Sequence, residues 1–300
     1  MPIHLKLLIA CFVWGATPTF GRVLSVYEAP FVIVCGRFLI AFALLAIIVV
    51  FRKQFVVIPK KYWLAFLALG ATGILLHNVL MFKGLEYTSA SVSSVLLSCI
   101  AVQVVCLEVV FYRKIPDVKT VLGILLAVFG TFYVISDGDL SHIAVYELDF
   151  GTALILLSGF SWALYSLLGS HLLVQFPSLI VTTLATFTGL LFLVPFLFAD
   201  LEMTLVIFSD LKVVSALFVL GVLGSAIGFL WYYDAVHELG TVKTAVYINL
   251  VPVFGIAIAA LFLDEEVGSS LYVGAVLVLG GVFLVNASGI LGDSNDEHGA

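Results

Sequence analysis

Charge is scarce in this chain. Asp, Glu, Lys and Arg make up only 11% of its 300 residues, whereas soluble domains carry about 25%. Too few polar groups remain to cover a water-facing surface, which excludes an ordinary soluble domain. Cysteine is also sparse. Cys11, Cys35, Cys99 and Cys106 all fall inside apolar runs, so no disulfide framework is implied. The strict apolar–polar alternation of an outer-membrane barrel strand is missing. Only Leu7 to Ala10 separate Lys6 from Cys11, shorter than the roughly 7–15 apolar residues of a signal-peptide core. The first apolar run is therefore expected to remain as an uncleaved span. The chain has no Walker loop, no His-Glu-x-x-His and no Gly-x-Ser-x-Gly elbow. ATP-driven pumping and hydrolytic catalysis are disfavoured, and no enzyme activity, cofactor or metal is expected.

What the chain does have is apolar length. Apolar residues make up 63% of it, and the long runs imply helices, since a helix in lipid satisfies its own backbone hydrogen bonds. A helix of about 20 residues crosses a hydrocarbon core of roughly 30 Å. Spans are expected at about 4–24, 30–51, 62–83, 88–112, 118–136, 150–171, 178–198, 211–234, 241–263 and 268–288. The predicted class is an all-α integral membrane protein with ten transmembrane helices.

The second feature is internal repetition. Shifted by 151 positions, Lys61–Ser136 overlies Lys212–Ala287 without a gap. Leu69-Gly70 meets Leu220-Gly221, Gly73 meets Gly224, Phe111 meets Phe262, Gly123 meets Gly274 and Gly130 meets Gly281. The expected organisation is a first five-helix repeat at 1–136, a linker at 137–149, a second repeat at 150–288 and a tail at 289–300. Lys and Arg near span ends mark the cytoplasmic side. With the N-terminus inside, nine lie on inner segments and three (Arg22, Lys83, Lys212) outside, so both termini are expected in the cytoplasm. Five spans per copy then invert the second copy. The corner Arg113-Lys114-Ile115 of the first copy accordingly aligns with Asp264-Glu265-Glu266 of the second.

Polar and aromatic residues inside spans mark the candidate site, because polar groups in a membrane should face the bundle interior. Ser91, Ser94 and Ser98 share one face of the fourth span. At the repeat offset, Ser98 meets Asn249, which would place both beside one axis. Trp14 and Trp162 lie deep in the first and sixth spans, with Tyr165 and Tyr247 adding aromatic surface suited to an apolar or cationic ligand. Trp231–Tyr233 also fits an interfacial aromatic belt. Arg37 could meet a carboxylate or phosphate, and His77-Asn78 lies in the outer half of the third span. Gly15 and Pro18 interrupt the first span and Pro252 the ninth, giving three candidate hinges. The fifth and tenth spans, poor in polar groups and rich in glycine, look peripheral.

Phe12-Val13-Trp14-Gly15-Ala16, Arg37-Phe38, Gly84-Leu85-Glu86-Tyr87-Thr88-Ser89-Ala90-Ser91, Pro252-Val253-Phe254 and Leu263-Asp264-Glu265-Glu266 carry a resemblance. With them the chain resembles the drug/metabolite transporter superfamily of the EamA-like type, in two copies. The first copy departs from the pattern, with Ala101 opposite Pro252 and Lys114 opposite Glu265. The resemblance implies a ten-helix bundle around a central cavity, and export of an amino acid or related metabolite across a bacterial inner membrane. The expected mechanism is secondary transport by alternating access; the alternatives are a passive channel or facilitator, or an exchanger without ion coupling. The expected partners are a small-molecule substrate and the lipid bilayer, not nucleic acid, with the chain a monomer or weak homodimer.

Overall fold

The structure is a computed structural model. It describes residues 1–25, 27, 29–87, 96–113, 115–136, 138–139, 150–199, 201–263 and 269–288, with the backbone alone at 17–25 and 259–263. Among these residues there is no strand. The long helices in chain order are α1 (Ile3–Ser25), α2 (Pro30–Phe51), α3 (Lys60–Leu85), α4 (Ile100–Tyr112), α5 (Val118–Ile135), α6 (Phe150–Leu173), α7 (Ser178–Ala199) and α8 (Leu211–Leu239). They are followed by α9, which comprises Thr241–Val246, a 3-10 turn at Tyr247–Asn249 and Leu250–Leu263, and by α10 (Ser269–Ala287). A short helix, Leu201–Ser209, lies between α7 and α8, where the sequence predicts only a connection. Eight helices are long and apolar enough to cross a membrane among the described residues, and the apolar stretches Ile3–Ala16 and Leu96–Tyr112 are shorter.

Local chemistry sets several boundaries. Pro30 opens α2, where its missing N–H costs nothing. Asp117 caps α5 by accepting from the Thr120 N–H at 2.7 Å, and Asp210 caps α8 by accepting from the Lys212 N–H at 2.8 Å. Hydrogen bonding holds both carboxyls below their ordinary pKa. Arg113 ends α4 in the left-handed region at φ 56°. The 3-10 turn lies just before Pro252 in α9; proline cannot donate to the preceding turn, and a tighter turn relieves the clash.

Two internal segments are wider than an α-helix. Gly70–Leu76 in α3 and Leu220–Ile227 in α8 are π-helical. They coincide at the 151-residue offset, where Gly70 meets Gly221 and Leu76 meets Ile227. The same distortion thus recurs at the same place in both copies.

Packing follows the repeat as well. In the first half, α1 packs on α8 and α9; in the second, α6 packs on α3 and α4. Likewise α8 packs on α2, and α3 on α7. Every one of these contacts joins one half to the other. The repeat mates α2 and α7 run antiparallel, since Phe31 stacks on Phe196 at 4.1 Å while Phe42 meets Phe187 at 5.6 Å. The mates α5 and α10 are antiparallel too. A Cβ on Gly123 would stand 2.8 Å from the Gly281 carbonyl, and one on Gly130 2.9 Å from the Gly274 carbonyl.

Lipid is as apolar as leucine, so helices in a membrane hold together by close packing rather than hydrophobic exclusion. Glycine is therefore where the α5–α10 pair is most sensitive. A Cβ at Gly281 would lie 2.4 Å from the Gly123 carbonyl, whereas one at Gly280 would meet nothing closer than Leu126 at 3.5 Å. Gly281→Val is expected to lower stability by about 1–3 kcal/mol, read as an earlier thermal unfolding midpoint in detergent. Gly280→Ala should match the parent.

Candidate functional site

The interior of the bundle is filled with rings supplied by both halves. Trp162 is central. Its ring centroid lies 5.6 Å from Trp14, 5.0 Å from Phe229, 5.0 Å from Tyr232, 5.3 Å from Tyr165 and 4.6 Å from His77. Tyr165 stacks on Tyr233 at 4.7 Å, and Phe229 meets Phe38 at 5.5 Å. Trp162, Tyr165, Phe229, Tyr232 and Tyr233 are all buried. Edge-to-face and offset pairs of this kind are each worth about 0.5–1.5 kcal/mol beyond area burial.

Glycines in or beside the π segments and on α6 make room for these rings. Gly73 lies under Tyr165: a Cβ there would come within 2.1 Å of the ring. Gly169 does the same for Tyr233, and Gly228 for the Trp14 indole. Gly73 and Gly224 occupy equivalent positions in the two copies. The Gly73 carbonyl accepts from Asn78 Nδ2 at 3.0 Å, and the Gly224 carbonyl accepts from Trp14 Nε1 at 2.8 Å. One backbone acceptor thus recurs in each half, with a local donor in the first copy and a donor from the opposite half in the second.

Polar groups rim the cluster. Arg37 is buried, donates from Nε to Ser225 Oγ at 2.8 Å, and lies 5.1 Å over the Phe38 ring. Among the described residues no carboxylate pairs with it. His77 Nδ1 lies 3.1 Å from both the carbonyl and the hydroxyl oxygen of Ser158. Ser166 Oγ and the Tyr232 hydroxyl are 2.6 Å apart, and the Tyr233 hydroxyl donates to the Tyr165 carbonyl at 3.0 Å. Two buried polar atoms, Trp162 Nε1 and the Tyr165 hydroxyl oxygen, lack a hydrogen bond of good geometry among the described residues. Most buried polar groups have such a partner, so these two stand out within the cluster.

Of the sequence candidates, Trp14, Arg37, His77, Trp162 and Tyr165 come together here. The other candidates whose side chains are described do not join the cluster. Asn78 is spent on the Gly73 and Ile74 carbonyls of its own helix. Tyr247 turns towards the start of α1 and towards α10, with its hydroxyl 2.7 Å from His4 Nδ1 and 3.4 Å from Asn286 Nδ2. Asn249 donates to the Val246 carbonyl and lies 3.4 Å from Thr131 Oγ1 on α5. Ser98 is buried at the start of the fourth apolar stretch, and Ser94 lies outside the described residues. Gly15 is a point of close approach, since a Cβ there would meet the Gly255 nitrogen and the Val251 carbonyl at 2.8 Å. Pro18 continues the backbone of α1, its side chain lying outside the described residues. Pro252 is buried beyond the 3-10 turn.

Sequence reasoning missed Phe229, and left Tyr232 and Tyr233 open between cavity aromatics and an interfacial belt. The run Trp231–Tyr233 reads as an interfacial belt, yet Tyr232 and Tyr233 are wholly buried. One signal was present: Phe229, Tyr232 and Tyr233 recur at i, i+3 and i+4, the spacing of one helical face. The spacing itself tests the slot beneath the cluster. Gly73→Ala should cost about 1–3 kcal/mol in a Tyr165 background and clearly less in a Tyr165→Leu background, measured by thermal unfolding of the four proteins.

Comparison with other proteins agrees with this architecture. The EamA-like transporter family matches residues 1–136 and 149–287. An uncharacterized transporter of Archaeoglobus fulgidus is 28% identical over 95% of this chain and 97% of its own length. A probable amino-acid metabolite efflux pump of Escherichia coli is 26% identical over 92% of each. A solved crystal structure shares the fold with a TM-score of 0.76 at 14% identity, over 94% of this chain and 96% of that one. Matched along both halves, the chain belongs to the EamA-like transporter family and is a multi-pass membrane transporter, not an enzyme.

Proposed function

We propose that the protein is a ten-span secondary transporter exporting a small amphipathic metabolite, an amino acid or a relative of one, across a bacterial inner membrane. Its two five-helix halves are inverted with respect to each other, with both termini in the cytoplasm, and alternating access arises as they rock about the aromatic cluster. The observation that carries this reading is the cluster's composition. Trp14, Phe38 and His77 come from the first half, and Trp162, Tyr165, Phe229 and Tyr232 from the second. A site shared in this way changes shape when the halves move. The antiparallel repeat mates and the cross-half packing support the inversion. The efflux pump among the relatives supports the substrate class.

The chemistry fits such a ligand. Rings accept its apolar part, the Trp162 N–H can donate to a carbonyl or carboxylate, and Arg37 supplies positive charge beside Ser225. A centre filled with packed rings favours a carrier over an open pore, which needs a continuous polar path.

Flux into proteoliposomes decides the matter, with radiolabelled amino acids tested in parallel and counterflow measured. Trp162→Leu and Arg37→Gln, each shown to insert and fold, are expected to cut saturable counterflow by about tenfold or more, about 1.4 kcal/mol. Parent-like counterflow in both would sink this site, and flux without counterflow would indicate a passive facilitator.

A further inference from the structure

One end of the α1–α8 seam carries charge that the aromatic cluster does not use. There Lys6 on α1 pairs with Asp234 on α8. The hydroxyl of Ser178, the first residue of α7, donates to the other carboxylate oxygen of Asp234. Lys6 and Asp234 are 24% and 23% exposed. Beside them lies a cavity of about 250 Å³, whose wall also holds Arg52, Gln54 and, on its apolar side, Leu230 and Trp231. Two of its polar groups are left over by the fold. Gln54 Oε1 is buried without a hydrogen-bond partner, and Arg52 has no ion-pair partner among the described residues.

Helix α8 separates this cavity from the aromatic cluster. Phe229, Tyr232 and Tyr233 face the cluster, while Leu230, Trp231 and Asp234 line the cavity. The cavity and the cluster therefore lie on different faces of the same stretch of one helix. At the opposite end of the same seam the tie is weaker in charge, a hydrogen bond from the Tyr27 hydroxyl to Asp210 at 2.9 Å. The repeat equivalent of Asp234 is Lys83, which pairs within its own half with Glu86. Among the described residues, an ion pair thus joins the halves at one end only.

A wall with two cations, one carboxylate, a free amide oxygen and an indole matches a small zwitterion that has an apolar side chain. A lone anion would face Asp234, and a lone cation would face Lys6 and Arg52. We propose that this cavity is a second ligand site, for a zwitterionic amino-acid-like molecule. Its ammonium replaces Lys6 on Asp234 and Ser178, its carboxylate lies between Lys6 and Arg52, and its side chain rests on Trp231. Occupancy opens the ion pair that holds α1 to α8, which links ligand arrival at this end to movement of the halves; this last step rests on the carrier reading above.

The test is calorimetric titration of the full chain in nanodiscs, in a Trp162→Leu background that disables the aromatic cluster. The probes are glycine, L-leucine and L-glutamine, with leucine methyl ester and N-acetylleucine as forms lacking one charge. L-leucine is expected to bind saturably, with both blocked forms at least tenfold weaker. Asp234→Asn should abolish binding. Arg52→Gln, an exposed change that leaves the fold intact, should weaken leucine about fivefold and leave the methyl ester unchanged. Leucine should also speed hydrogen exchange in the first two turns of α1. Equal affinity for blocked and free forms, parent-like titration of both variants, binding that leaves α1 exchange unchanged, or no binding by any of the three zwitterions would overturn the proposal. If the binding pattern holds while the parent protein shows no flux, the site stands and only the carrier reading falls.

Discussion

The widened turn in each half is the feature on which the rest of the interior depends. At Gly70–Leu76 and Leu220–Ile227 the helix loosens and exposes backbone. In lipid no water is present to satisfy a displaced carbonyl, so each segment needs a side-chain donor. Asn78 serves Gly73, and Trp14 serves Gly224. The second bond crosses between the halves and fixes the Trp14 indole against Trp162, from which the aromatic cluster extends. π-bulges tend to occur at functional sites, and here both border the same cluster.

Glycine provides the complementary half of the arrangement. A π turn widens the helix, yet α3 still approaches α7 so closely that a Cβ on Gly70 would lie 2.3 Å from the Gly189 nitrogen. In the other copy a Cβ on Gly221 would lie 2.7 Å from the Arg37 carbonyl. Each distorted helix is thus clamped against the second helix of the opposite half. The α5–α10 pair uses the same device without a π turn.

The two copies share a scaffold but not a chemistry. Repeat-related positions hold His77 and Gly228, Asn78 and Phe229, Lys83 and Asp234. The first copy therefore puts a polar ring beside Trp162 where the second leaves a slot for Trp14. The charge at the end of α8 ties the halves together, while its counterpart on α3 pairs locally. Symmetry supplies two equivalent arrangements of the backbone, and these substitutions make the two ends of the seam different.

Much of this could be read from residues alone. Scarce charge and long apolar runs determined the membrane class, and the 151-residue register was visible in the residues themselves. That Trp14, Arg37, His77, Trp162 and Tyr165 lie in the bundle interior was legible because deep aromatic and charged groups in a span tend to face inward. Asn249 and Tyr247 were expected at the same site but have their partners elsewhere, since a polar side chain in a helix satisfies a neighbouring backbone or an adjacent helix equally well, and only packing decides between them. The same ambiguity hid Tyr232 and Tyr233: a Trp-Tyr-Tyr run near a helix end has identical composition whether it faces lipid headgroups or a core. The π turns were invisible as well, because their glycines serve ordinary close packing just as readily. Sequence thus located the long apolar helices, though not the short helix Leu201–Ser209, and showed the 151-residue register that relates them. The tertiary structure alone decided which face of each helix turns inward, because that choice depends on the shape of the opposite half.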